Sequence, residues 1–325
     1  MQAFEYANPA TLHEALTLLG SQWGQADVLA GGTDQISLMK DFIHTPKRVV
    51  NIKGIKELGG IQHSAQGLRI GATATLDELA SNPAVRAEYP SLHSAVLGVA
   101  SPQIRNMGTA GGDLCQRPRC WYYRRGFGLL AMQDGKSLVP NGDNRYHAIF
   151  GGGPAYFVSA SSLGPALIAL GAKVKLVSAS GQRVISAEKF FVSPQNESAR
   201  EIALLPNEIL TEIQVPPAHG VKNATYEIRQ KEALDWPLVT ASVAIHMQGS
   251  TVGKSVILLG HVAPTPWPAT KASQALDGKA LTPQTIAQAA ESAADGAAPL
   301  SGNDYKVKLA KVAVRRALLE ASGKA

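Results

Sequence analysis

The chain has two cysteines in 325 residues, Cys115 and Cys120. That number excludes the disulfide framework of a small secreted domain. Charged residues make up only 17% of the sequence and the net charge is +6. No block of lysine and arginine marks a nucleic-acid surface, and the densest basic stretch is Arg117-Pro118-Arg119, continuing to Arg124-Arg125. No apolar run approaches the roughly 20 residues needed to cross a bilayer. Met1-Gln2-Ala3-Phe4-Glu5-Tyr6 lacks the basic and apolar regions of a signal peptide. The expected compartment is the cytoplasm, or the periplasm by co-export with a partner that carries a signal. There is no long internal repeat and no low-complexity tail.

The apolar content is 45%, enough for real cores in the two or three domains that 325 residues usually form. Two glycine-rich segments stand out: Ala30-Gly31-Gly32-Thr33-Asp34, and Asn106-Met107-Gly108-Thr109-Ala110-Gly111-Gly112-Asp113. Each follows an apolar segment, holds a hydroxyl residue and ends in a carboxylate. Glycine at such places lets backbone N–H groups approach an anion that a Cβ would fend off. Two such loops about 80 residues apart suggest a dinucleotide gripped from two sides. Neither is the single G-x-G-x-x-G of a Rossmann unit. Taken singly, each is also compatible with a tight turn.

Around these loops the pattern reads as mixed helix and strand. Thr11 and Glu14 form a capping-box pattern for a helix stopped by Gly20, and Thr75 with Glu78 forms another. Strands are expected at Val28–Ala30, Val49–Ile52, Leu68–Ile70, Lys173–Val177 and Ile209–Val215. Helical spacing falls at Ile36–Lys40, Leu92–Val99 and Pro165–Leu170. Pro216 to Lys222 is rich in proline, glycine and polar residues and suits a domain boundary. Beyond it, strands at Val239–Met247 and Val256–His261 precede helices opened by Thr282-Pro283 and by Lys306. Residues 117–156 have little periodicity, which marks a functional or linker segment.

These residues resemble one family over nearly the whole chain. The marks are Ala30-Gly31-Gly32-Thr33-Asp34, Gly71-Ala72-Thr73-Ala74-Thr75-Leu76, and Ile104-Arg105-Asn106 running into Thr109-Ala110-Gly111-Gly112-Asp113. Further marks are Asp235-Trp236-Pro237-Leu238-Val239 and Gly260-His261-Val262-Ala263-Pro264. The chain resembles the FAD-binding medium subunit of the molybdenum hydroxylases, a group that includes xanthine dehydrogenase, aldehyde oxidoreductase and carbon monoxide dehydrogenase. The resemblance implies an α+β chain: an FAD domain of the vanillyl-alcohol-oxidase type over residues 1–217, with subdomains about 1–53 and 54–217, then a small α+β domain over 218–325. It implies a small partner subunit with two [2Fe–2S] clusters and a large one with molybdopterin. Electrons would pass from the organic substrate through these to FAD and on to NAD or another acceptor. The alternatives are a flavin-free scaffold subunit and a stand-alone flavin oxidoreductase.

The resemblance also assigns residues. Cofactor contacts are expected from Leu29, Ala30, Gly31, Gly32, Thr33, Asp34 and Gln35, from Ala100 near the adenine, and from Thr109, Gly111, Gly112 and Asp113. Ile209 and Leu210 match positions beside the isoalloxazine ring, or are plain strand core. Arg229 and Asp235 match the flavin side of the C-terminal domain, or form a surface ion pair. Asp34 is expected to cap the next helix or bond a ribose hydroxyl, since a carboxylate beside phosphates would be repelled. Family members usually carry asparagine where Asp113 stands. No catalytic acid or base and no metal ligand is expected in this chain.

The segment from Cys115 to Arg124 is similar to the loop that carries an extra [4Fe–4S] cluster in aldehyde oxidoreductases and hydroxybenzoyl-CoA reductases. Such a cluster takes four cysteines. Here only Cys115 and Cys120 remain, and Ala155 stands where relatives place another. The expectation is a retained loop without its cluster. The two thiols are then packed groups, a disulfide or partial metal ligands. His147, inside the segment, is expected to be structural.

Overall fold

The computed structural model describes residues 1–99, 101–231 and 235–324. Near the N-terminus, Glu5–Ala7, Arg48–Asn51 and Ala26–Leu29 pair in that order as a small parallel sheet. Parallel neighbours need crossover connections, and the helices Leu12–Thr17 and Gln35–Lys40 lie in them. Ala15 and Leu16 bury one helix face against Val50, Ile52 and Ile55. Thr11 caps this helix, accepting from Glu14 N at 3.2 Å. The Glu14 carboxylate takes the N–H of Ala10 at 2.8 Å rather than that of Thr11, so the expected reciprocal box is displaced by one residue. The helix also ends before Gly20. That glycine instead leaves room for the Gln25 side chain, which caps the N–H groups of Ser21 and Gln22.

The second sheet is antiparallel throughout, in the order Ile61–Ser64, Gly67–Gly71, Glu208–Val215, Lys173–Ser178, Gly181–Ser186. Its central strand, Glu208–Val215, is buried along almost all its length. Successive side chains on a strand face opposite ways. Ile209 therefore packs with the N-terminal unit, and Leu210 with the large core of the second sheet. Helices Leu76–Ser81, Pro90–Leu97 and Leu163–Ala169 contribute to that larger core. The Thr75–Glu78 box is complete: Thr75 Oγ1 accepts from Glu78 N at 3.1 Å and Glu78 accepts from Thr75 N at 2.6 Å. Helix Pro102–Met107 intervenes before the second glycine segment. That segment is itself a helix, Ala110–Cys115, with Thr109 as its N-cap. The expected second loop is thus a helix start, because Thr109 Oγ1 accepts from Gly112 N at 3.1 Å.

Strands Val221–Arg229, Pro237–Gln248, Thr251–Gly260 and Trp267–Pro268 form a third, antiparallel sheet. Helices Thr270–Leu276, Pro283–Ser292 and Tyr305–Ser322 follow, so strands and helices are segregated as in an α+β unit. Thr282 caps the second of them through Thr285 N at 3.2 Å, with Pro283 at the first turn. The Val221–Arg229 strand begins inside the segment read as a boundary, where glycine and proline mask it.

Residues 117–156 hold one short helix, Trp121–Arg124, and a hairpin of Met132–Gln133 with Lys136–Ser137. Their far end belongs to the third sheet's core. Ile149 and Phe150 are buried there, Ile149 N donates to Val262 O at 2.8 Å, and Phe150 stacks on Trp267. Lys306, on the last helix, donates to the carbonyls of Tyr146, His147 and His261 at 3.1, 3.3 and 2.8 Å. Among the described residues, no helix is long and apolar enough to cross a membrane.

Candidate cofactor cleft

A cleft of about 400 Å³ is lined by the first glycine loop, the second glycine segment, the central strand of the second sheet and the start of the inserted segment. The first loop connects strand Ala26–Leu29 to helix Gln35–Lys40. Gly32 has φ +73°, the left-handed region that glycine enters without strain. A Cβ on Gly31 would fall on the backbone carbonyl of Met107, so the two glycine segments touch at this point. Among the described residues, no acceptor takes the N–H of Gly31, Gly32, Thr33, Asp34 or Gln35. The Gln35 Nε2 is buried without a partner. Six donors are therefore concentrated beside the cleft, an arrangement that suits an anion.

The second glycine segment is different. Ala110 N donates to Ala74 O at 2.8 Å, Gly111 N to Ala72 O at 2.9 Å, and Asp113 N to Thr109 O at 2.9 Å. With Gly112 N held by Thr109, these donors are already engaged. The two glycine segments therefore differ in how many of their backbone N–H groups are left free. Gly111 is small because a Cβ would press on Ala72 at 2.9 Å, so this glycine serves close packing of helix on strand.

Asp34 does not cap its helix. Its Oδ2 accepts from Arg117 N at 2.8 Å and its Oδ1 from Arg124 Nη2 at 2.7 Å, with Arg119 Nη1 at 3.2 Å. The reason is competition: three groups of the inserted segment, two of them cationic, outbid an exposed backbone N–H. Asp113 is equally engaged within the protein. It accepts from Ser161 Oγ at 2.5 Å, Leu163 N at 3.0 Å, Ser162 N at 3.3 Å and Gln116 Nε2 at 2.9 Å. Burial pushes its carboxyl above the ordinary carboxylate range, against these hydrogen bonds.

Of the residues expected at the site, Ala30, Gly31, Gly32, Thr33, Asp34, Gln35, Thr109, Gly111, Gly112, Asp113, Ile209 and Leu210 line this one cleft. Leu29 does not line it. Its side chain lies where a Cβ on Gly32 would point. Arg229 also lies off the lining, because its guanidinium donates to Glu227 and to the carbonyl of Gly98. That pair is buried rather than on the surface. Asp235 accepts from Lys231 N at 3.0 Å and Trp236 N at 2.9 Å, a local turn. Ala100 lies outside the described residues.

Several lining residues carry no signal that the sequence pattern exposes. Arg119 sits over the ring of Trp236 at 4.3 Å, and Arg200 over Trp23 at 4.1 Å. These contacts join positions far apart in the chain. Arg117 pairs with Glu201 and donates to His44 Nε2 at 2.8 Å. A guanidinium only donates, so His44 Nε2 is the acceptor and accepts from Tyr123 Oη as well, at 2.9 Å. The proton of His44 then sits on Nδ1, towards Asp27 at 3.6 Å.

Both cysteines are free thiols, which removes the disulfide reading. Burial pushes Cys115 up to about 12. Cys120 is also raised by burial, and its Sγ lies 3.1 Å from His147 Nε2. Burial and then Lys306 pull His147 down to about 4, so a neutral imidazole accepts from the thiol. Among the described residues, no three histidine, cysteine or acidic side chains are grouped to hold a metal ion.

Comparisons with known proteins identify the family. The family described as FAD binding domain in molybdopterin dehydrogenase matches residues 2–218. The family described as CO dehydrogenase flavoprotein C-terminal domain matches residues 224–321. The chain is 31% identical to the carbon monoxide dehydrogenase medium chain of Hydrogenophaga pseudoflava, covering 97% of this chain and 96% of that one. It is 32% identical to the aldehyde oxidoreductase FAD-binding subunit PaoB of Escherichia coli, covering all of both. Among solved structures, carbon monoxide dehydrogenase of H. pseudoflava superposes with a TM-score of 0.78 at 30% identity, covering 99% of this chain and 98% of that one. Quinoline 2-oxidoreductase of Pseudomonas putida gives 0.77 at 26%, with 99% and 98% covered. A matched family profile over two thirds of the chain, the second profile after it and the shared fold lead to one conclusion: this chain belongs to the FAD-binding medium subunits of the molybdenum hydroxylases.

Proposed function

We propose that the chain is the electron-transfer subunit of a heterotrimeric molybdenum hydroxylase, with the cleft as its FAD site. The observation that carries this reading is the row of unpartnered donors from Gly31 to Gln35, set in the same cleft as the apolar pair Ile209 and Leu210. The first loop would hold the diphosphate through its N–H groups, and Gln35 would donate from its side chain. The strand that carries Ile209 and Leu210, on its opposite faces, would lie beside the ring. The Asp34 carboxylate, held by arginines of the inserted segment, would fix the end of the loop. Bound FAD supplies one- and two-electron redox chemistry, and the protein supplies position and exclusion of water. No catalytic acid or base from this chain is needed.

The partners in this reading are a small subunit with [2Fe–2S] clusters and a large subunit with molybdopterin. The inserted segment, together with the match to PaoB, favours the aldehyde type. The FAD domain would span 1–217 and the C-terminal domain 218–325, in the cytoplasm. The test is an absorption spectrum with iron determination on the purified chain. Bands at about 370 and about 450 nm without iron are expected. About four irons per chain would overturn the cluster-free inserted segment. Neither flavin nor iron, even after incubation with FAD, would overturn the cofactor reading.

A further inference from the structure

Arg229, the arginine expected on the flavin side, is engaged with Glu227 and Gly98 and stands off the cleft lining. Another arginine takes a place on the wall. Arg200, Ile202, Leu204, Pro206 and Glu208 line the cleft, whereas the residues between them do not. That is the period-two pattern of an extended segment with one face turned to the site. The run opens on Arg200 and leads into Ile209 and Leu210.

Trp23 precedes strand Ala26–Leu29 and Gly31 follows it, so the two stand at opposite ends of that strand. Ala26, Asp27 and Val28 line the cleft between them. The cleft thus runs along the strand, from the free donors of the first loop to the contact of Trp23 with Arg200. Ile209 shares a core cluster with Val28 and Ile52 on this side. Val99, next to the position assigned to the adenine, belongs instead to the other core, with Leu76.

Arg200 is held but not saturated. Its guanidinium lies 4.1 Å from the centre of the Trp23 ring. Its Nε is buried without a hydrogen-bond partner, and Glu201 Oε2 stands 3.7 Å away, beyond hydrogen-bond reach. Glu201 is drawn to Arg117, which also donates to His44, and the other nitrogen of His44 faces Asp27. Burial pulls Arg200 down from its usual range, and a guanidinium stays charged all the same. A flavin ring that takes up two electrons and one proton gains one negative charge. A buried guanidinium stacked on a tryptophan, with an N–H to spare, is matched to that charge.

We propose that Arg200 serves the flavin ring: it favours the reduced, anionic form of the cofactor over the oxidised form and so raises its potential. Trp23 is the positioning residue that fixes the plane of this guanidinium. The inference rests on the reading of the cleft as an FAD site, and it adds the group that tunes the bound ring.

The experiment compares full-length wild-type, Arg200→Gln, Arg200→Met and Arg200→Lys chains, each stripped of flavin and reloaded with FAD. Redox titration gives the ratio of affinities for reduced and oxidised cofactor. For Arg200→Gln the ratio should fall about tenfold, which for a two-electron couple is a midpoint potential about 30 mV lower. Arg200→Lys keeps the charge without the stacked plane and should fall by less. ADP, which has the diphosphate and adenosine but no ring, should bind every chain within about twofold of wild type. Equal melting of the flavin-free chains shows that the variants fold, and Arg200→Met tests the same loss of charge if Arg200→Gln does not. An unchanged ratio, or equal weakening of both redox forms, would overturn the inference. So would a loss of ADP binding, which would put Arg200 at the other end of the cofactor. Each of these outcomes leaves the FAD site standing; if the wild-type chain binds neither FAD nor ADP, the FAD reading falls and the inference falls with it.

Discussion

Asp34 and Arg124 meet at 2.7 Å across ninety residues of sequence, tying the end of the first glycine loop to the inserted segment. Replacing Asp34 by asparagine removes the charge from a site that is mostly shielded from water but not sealed. A loss of about 2 kcal/mol is expected, less than for a fully buried pair because solvent screens part of it. The check is a lower denaturant midpoint at unchanged slope, with faster proteolysis between residues 117 and 156. Unchanged proteolysis there would mean that the segment is held elsewhere.

Gly31→Ala sets a methyl group against the backbone oxygen of Met107, which cannot rotate away. The variant is expected to lose about 1–3 kcal/mol and to purify with little flavin. Flavin content per chain and melting temperature report the two effects separately. Gly60→Ala, a control with open space around it and φ +82°, should cost stability without emptying the cleft.

Asp113 offers a test by pH. Its carboxyl is raised by burial, so the folded state binds this proton more tightly than the unfolded state does. Stability from this group is therefore complete below the ordinary carboxylate range and declines as pH rises from there through the raised value. Asp113→Asn removes that slope. Denaturant midpoints of the two proteins between about pH 4 and pH 8 should converge at the acid end and separate at the alkaline end, with the asparagine variant the more stable. A constant difference would show that the hydrogen bonds from Ser161 and Leu163 balance burial, and a difference of opposite slope that they outweigh it.

The two thiols should be inert in the folded chain. Thiolate is the reactive form, and both groups are shifted towards the thiol by burial. Iodoacetamide at about pH 8 should label neither until denaturant is added, and then both. Prompt labelling of either in the native chain would contradict the burial that sets their chemistry.

Much of the first loop was legible because its glycines follow a short apolar strand and precede a helix, a local pattern. The same logic did not show that the second segment starts a helix. Its glycines look alike in sequence, but Thr109 caps a helix there and Ala72 presses on Gly111, and neither contact is local. The cap expected of Asp34 fails for the same reason, since its arginine partners come from the least periodic part of the chain. The Val221–Arg229 strand escaped because proline and glycine just before it read as a linker. Trp23 and Arg200 gave no sign at all; only the fold brings them to one wall.

The docking of Ile149 and Phe150 into the C-terminal sheet has a consequence for synthesis on the ribosome. Ile149 waits for Val262, and Lys306 completes the contact with Tyr146 and His147 later still. The far end of the segment that supplies Arg117, Arg119 and Arg124 to the cleft is therefore anchored only after Lys306 has been made. Flavin loading is then expected to follow synthesis of the helix that carries Lys306, so a chain cut before that helix is not committed to cofactor.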